Sequence, residues 1–176
     1  MYYQGKGVPQ DYKQAFKWFK LSAQQGSMEA QLNLGVMHQK GEGIPQNYTE
    51  AIKWYQLSAD QNFQDGQTNL GRMYYQGKGV PQDYKQAFKW FKLSADQGDA
   101  KAQLTLGVMY SSGQGVPQDY ASAHMWWNIC GSGGDKDCVK NRNIVEKEMS
   151  PSQIEKAQDL ASNWKLYVVK RSCAKS

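Results

Sequence analysis

The amino-acid sequence predicts an all-α chain, a stack of antiparallel helix pairs that repeats about every 36 residues. Three observations predict it: a self-match at that step, apolar spacing of helical period inside each unit, and helix start and stop residues at fixed places. The step is visible in Gly5, Gly41, Gly77 and Gly113, in Gly7, Gly43, Gly79 and Gly115, and in Pro9, Pro45, Pro81 and Pro117. It recurs in Ala15, Ala51, Ala87 and Ala123 and in Trp18, Trp54, Trp90 and Trp126. Leu34-Gly35, Leu70-Gly71 and Leu106-Gly107 keep the same step, with Met37, Met73 and Met109 behind them. A fixed period of about 20 to 50 residues marks arrays whose units share a continuous core.

Each unit reads as two helices. The first runs from about Met28 to Lys40, where Ala30, Leu34, Met37 and His38 share one helical face. Gly41 falls where a left-handed C-terminal residue is wanted, and Pro45 marks the helix as ended. The Gly-x-Gly-[Val/Ile]-Pro-Gln string is then a turn. The second helix starts behind Asp11, Asn47, Asp83 and Asp119, all good N-cap residues. Gln14, Glu50 and Gln86 follow three positions later and predict a capping box, which Ser122 breaks in the last unit. Tyr12, Ala15, Phe16, Phe19 and Ala23 form the apolar face of this helix.

The resulting organisation is a partial repeat over 1–24 (its second helix), repeats over 25–60, 61–96 and 97–132, and a helical cap and tail over 133–176. Residues 1–23 are identical to residues 73–95. Met1 therefore corresponds to Met73, inside a first helix, and the natural protein is expected to extend upstream. After Trp126-Trp127 the pattern changes. Gly131-Ser132-Gly133-Gly134-Asp135 predicts a loop, and Asp137 to about Met149 a charged helix. Ser150-Pro151-Ser152-Gln153 is a strong helix start. Ile154, Ala157, Ala161, Trp164 and Val168 form one stripe behind it, as a capping element needs, and the tail from Lys170 is expected to fray.

One string carries a family resemblance: Ala102-x-x-x-Leu106-Gly107-x-Met109-Tyr110-x-x-Gly113-x-Gly115-Val116-Pro117-x-Asp119-Tyr120-x-x-Ala123-x-x-Trp126. With its copies over residues 1–132, it resembles the Sel-1-like repeat family, a relative of the tetratricopeptide repeat. The resemblance implies a right-handed α/α superhelix, or solenoid, and an adaptor role in assembling other proteins. It also tilts localisation toward a bacterial periplasm or the exterior, since many bacterial members are exported.

Composition excludes several classes. Apolar residues at 40% and aromatics at 12% are too many for a disordered chain. Mean hydropathy is −0.77, and no apolar window approaches the ~18 residues of a membrane-spanning helix. The net charge of +5 invites a nucleic-acid reading, but the lysines are spread at regular spacing, as on solvated helix faces. No P-loop, nucleophile elbow or metal-binding His string occurs, so catalytic, cofactor and metal residues are all expected to be none. His38 stands where other units have Tyr74 and Tyr110 and reads as a half-buried aromatic substitute; His124 has no acidic or thiol partner at metal-ligand spacing. The repeated tryptophans could stack on bases. Because they never vary between units, packing is the better reading. Cys130 and Cys138 lie eight residues apart across a short loop. The cysteine-rich branch of the resembled family implies a disulfide at such a spacing, the alternative being two small buried thiols.

Placing Ala30 at zero and stepping ~100° per residue puts Leu34, Met37 and His38 on one side of the first helix. Glu29, Leu32, Val36, Gln39 and Lys40 fall on the other. Their equivalents are Asp65, Thr68, Arg72, Tyr75 and Gln76, then Lys101, Leu104, Val108, Ser111 and Ser112. The resemblance makes this the concave, partner-binding face, with Leu32 and Leu104 alternatively filling gaps between units. The expected function is a non-catalytic protein- or peptide-binding scaffold. An RNA-binding helical repeat is the alternative, and a hydrolase, as labelled for some cysteine-rich relatives, a remote one.

Overall fold

The computed structural model describes Tyr3 and residues 10–173, with side chains as far as residue 166. Gly5, Gly7, Pro9 and the side chain of Val168 lie outside what is described. Among the described residues there are nine helices and no strand. The second helices of the units are α1 (Tyr12–Gln24), α3 (Tyr48–Asp60), α5 (Tyr84–Ala95) and α7 (Tyr120–Ser132). The first helices are α2 (Met28–Lys40), α4 (Gln64–Gln76) and α6 (Ala100–Ser112), followed by α8 (Lys136–Glu146) and α9 (Pro151–Cys173). Helix α9 continues through Cys173, past Lys170, and residues 174–176 of the tail lie outside what is described.

The caps explain the fixed boundaries. Gly41, Gly77 and Gly113 end the first helices at φ of 74°, 64° and 71°, a left-handed conformation that a Cβ makes costly. Asp11, Asn47 and Asp83 each accept a bond at 3.0 Å from the amide three residues on. The reciprocal half of the expected capping box does not carry the turn. The Asn47, Asp83 and Asp119 amides donate instead to the carbonyls of His38, Tyr74 and Tyr110. Gln46, Gln82 and Gln118, directly behind the prolines, bond the carbonyls of Gln39, Tyr75 and Ser111. The turn thus satisfies first-helix carbonyls that would otherwise be orphaned. Among the described residues a full box forms at Ser150, whose amide donates to Gln153 Oε1 at 2.8 Å while Ser150 Oγ accepts from Gln153 N at 3.4 Å.

The core follows the sequence stripe. Leu34, Met37, Leu70, Met73, Leu106 and Met109 are fully buried, each contributing about 1.5–3 kcal/mol of apolar burial. Beside them runs a polar ladder that the stripe does not announce. Gln31, Gln67 and Gln103 are buried and donate to the carbonyls of Ala23, Ala59 and Ala95, at the end of the preceding second helix. A buried amide with this partner is stable, and one without it is not.

The chain forms two compact units, residues 1–90 and 91–176. In the first, α1 to α4 pack each on the next. In the second, α7 is packed by α6, α8 and α9. Helix α9 lays its expected stripe on α7: Ala157 and Ala161 are buried, and Trp164 meets Trp126 edge-on at 5.8 Å. Trp164 Nε1 also donates to Asp96 at 3.3 Å, and Lys156 lies 3.7 Å from Asp119.

Candidate partner-binding face

The first-helix face has charged ends and a half-buried middle. Glu29, Lys40, Asp65, Arg72, Gln76, Lys101 and Ser112 are exposed. Leu32, Val36, Gln39, Tyr75, Leu104, Val108 and Ser111 are half-buried. One expected residue does not belong: Thr68 is buried at 9% exposure. α2 and α4 both pack on α3, and α6 packs on α7, so the register of 32, 68 and 104 turns toward a neighbour rather than to water. Leu32 and Val36 accordingly pack on the Ala51–Tyr55–Leu70 core, and Leu104 and Val108 on the Ala121–Trp127–Val145 core. The apolar positions on this face therefore serve packing first.

What remains open is a narrower strip with its own geometry. In the first unit, Arg72 leans on Asn69, and Tyr75 stacks edge-on to Tyr84 at 5.2 Å. Gln39 accepts from the Tyr55 hydroxyl at 2.5 Å. Burial raises Tyr55 above the ordinary phenol range although Arg72 pulls it down; the Tyr55 hydroxyl therefore remains a donor at any physiological pH.

In the second unit the strip runs on into α8, a helix that by sequence falls in the expected cap. Stepping 36 residues on from Val108 and Ser112 reaches Ile144 and Glu148, and Ile144 is 54% exposed. That step was available in the sequence, but the missing Leu-Gly pair in α8 hid it. Between α6, α7 and α8 lies an open cleft of about 220 Å³, with Ser111, Tyr120, Trp127 and Ile144 among its walls.

The tryptophans pack. Trp126 is 1% exposed with Lys92 5.4 Å over its ring, Trp90 joins the Tyr55–Leu70 core, and Trp54 lies on Ala23, Ala30 and Leu34. Trp18 alone of the four is open, at 59% exposure.

His38 sits edge-on to Phe16 at 5.7 Å, half-buried. His124 departs from expectation. The fold brings Glu146 to 3.6 Å from its Nε2, an acidic partner 22 positions away that local spacing does not reveal. Its Nδ1 is buried without a bond, and burial lowers its pKa despite the pull of Glu146. One acid and one sequestered imidazole do not make a nucleophile–base pair.

Cys130 and Cys138 are joined by a disulfide across α7 and α8, with Cα atoms 5.8 Å apart. They group with Asp135, but bonded sulfurs offer no thiolate to a metal. Among the described residues no helix is long and apolar enough to cross a membrane.

The Sel1 repeat family matches residues 1–27, 29–63, 64–99 and 100–135. A protective antigen of uropathogenic Escherichia coli strains, displaying an SLR fold, is 33% identical with a TM-score of 0.87, over 99% of this chain and 38% of that one. A Sel1 repeat protein from Oxalobacter formigenes is 34% identical with a TM-score of 0.74, over 78% of this chain and 56% of that one. This chain thus spans less than two thirds of the length of either. Cysteine-rich protein B of Helicobacter pylori shares the fold at 21% identity and a TM-score of 0.59, over 77% of this chain and 98% of that one. No curated protein matches the sequence. The repeated turn, the paired helices and these likenesses agree, and the chain belongs to the Sel1 repeat family.

Proposed function

We propose that the chain is a non-catalytic scaffold that captures a protein or peptide on the first-helix strip of its repeats. The observation that supports this reading most is the behaviour of one register. At positions 36, 72, 108 and 144 the side chain stays partly or wholly open, while the buried registers of the same helices keep the array together. Arg72 and Tyr75 stand on this strip, and these residue types dominate binding energies at interfaces. Function then resides in surface complementarity rather than in any reactive group.

The replacement of both Arg72 and Tyr75 by alanine tests the reading. Capture of a partner identified by cross-linking in the source cell should fall at least about tenfold, with the melting curve little changed. Unaltered capture removes the assignment. An RNA role predicts instead a steep loss of RNA affinity with added salt. Packing of Trp54, Trp90 and Trp126 leaves that role little ring surface for stacking.

A further inference from the structure

The cleft in the second unit has an equivalent position in the first. Two repeat steps before Ser111, Tyr120, Trp127, Ile144 and Glu148 stand Gln39, Tyr48, Tyr55, Arg72 and Gln76. In the first unit the chain fills this place itself: Tyr55 is fully buried and its hydroxyl bonds Gln39 at 2.5 Å. In the second unit, Ser111 is too short to reach across, and its hydroxyl turns back to the Val108 carbonyl at 2.9 Å. Ile144 stands exposed in the register of Arg72. Moreover α8 ends at Glu146, without the glycine turn that closes α2, α4 and α6. The opening is therefore a consequence of particular substitutions in an otherwise repeated site.

The walls define what fits. Trp127 Nε1 donates to the Leu104 carbonyl at 3.1 Å, and the Tyr120 hydroxyl accepts from Gln118 Nε2 at 3.4 Å. Their rings, with Ile144 and Val145, leave mostly carbon facing a volume of about 220 Å³, space for several waters. Replacing those waters by one bulky apolar side chain is favourable. Asn141 on the cleft wall carries both a donor and an acceptor suited to a peptide backbone. Glu148 is the one charged group on the lining, in a register that holds Lys40, Gln76 and Ser112 on the other first helices. Arg142 of α8 is directed to Asn128 and Asn143, and no ion pair reaches Glu148 among the described residues.

We propose that this cleft takes a bulky aliphatic or aromatic side chain of an extended peptide whose adjoining residue is lysine or arginine, paired with Glu148. The proposal rests on the first-helix strip being the partner surface and names the chemistry it selects in the second unit.

The test uses phage-displayed random peptides of about a dozen residues, selected on the full chain and on its Glu148→Lys, Ile144→Asp and Arg72→Ala/Tyr75→Ala variants. Glu148 and Ile144 are exposed, and circular dichroism confirms that their variants fold. Enriched peptides should pair an apolar with a basic residue. Glu148→Lys should weaken them about three- to fivefold and turn the selected charge acidic, and Ile144→Asp should weaken them at least about tenfold. A charge preference that is absent, or that Glu148→Lys does not move, overturns the proposal, and so does the absence of any enriched peptide. If binding responds to Arg72→Ala/Tyr75→Ala but not to Glu148→Lys, the cleft assignment fails while the strip survives. If it responds to neither, both fail.

Discussion

Cys130 and Cys138 occupy a contact that Ser58 and Gly66 also make. Cys130 stands in the register of Ser22, Ser58 and Ser94, and Cys138 in that of Ala30, Gly66 and Ala102. Ser58 Oγ bonds the Met28 carbonyl at 2.9 Å, and a Cβ on Gly66 would lie 2.6 Å from that oxygen. Cys130 Sγ approaches the equivalent Ala100 carbonyl at 3.4 Å. The disulfide thus sits where second and first helices already touch. Thiol titration of the denatured, unreduced chain should find one free thiol of the three, that of Cys173. Reduction should cost about 2–3 kcal/mol for so short a loop, read as a lower urea midpoint. Three free thiols would contradict the bond.

His124 makes a second residue-scale prediction. Other units place Phe16, Ile52 and Phe88 in its register, and His38, Tyr74 and Tyr110 in that of Glu146. Where Phe16 meets His38 edge-on at 5.7 Å, the last repeat sets His124 3.6 Å from a carboxylate oxygen of Glu146. Burial lowers the imidazole pKa most; Glu146 raises it in part, and Arg142 lowers it further. The unfolded chain then binds the proton more readily than the folded one. Stability from this site is complete above the unfolded value of about 6.5 and declines as pH falls through the lowered folded value. His124→Phe should flatten the loss of stability between roughly pH 7 and 5, with a remainder from His38, which burial lowers in the same direction. An unchanged pH slope in urea titrations would count against it.

At the scale of elements, helix ends were legible and helix crossings were not. Residues from Met28 to Lys40 give the observed α2 limits because capping is local: the glycine, the proline and the Asn or Asp act within a few bonds of each other. The Leu-Gly pair was legible only as a pattern. Its reason is a crossing: a Cβ on Gly35 would lie 2.5 Å from Tyr55 Cδ1, and one on Gly107 2.5 Å from Trp127 Cε2. Gly107→Ala should destabilise by about 1–3 kcal/mol through overpacking, net of a gain of up to about 1 kcal/mol in helix propensity. The shift would appear in the urea midpoint, with altered Trp127 fluorescence as its signature. A neutral effect would mean that the indole can yield without losing the Leu104 bond.

For the molecule as a whole, stability in an array is a sum of units and the faces between neighbouring elements. Helix α9 covers Trp126 through Trp164 and buries Ala157 and Ala161. A chain ending at Ser150 should lose at least about 2 kcal/mol of stability, since this much apolar surface returns to water, and calorimetry should show the second unit melting first. A single unchanged transition would show that the cap contributes little.

The sequence by itself determined the helix pairs, their limits, their turns and the buried stripe, because each depends on groups within one unit and the units repeat. Only the tertiary structure decided which part of the outer face stays open. It buried Thr68, turned Leu32 and Leu104 to packing, brought Glu146 beside His124 and left a cleft beneath Ile144. These outcomes depend on side chains from helices distant in sequence, whose approach is set by packing volumes that no local pattern encodes.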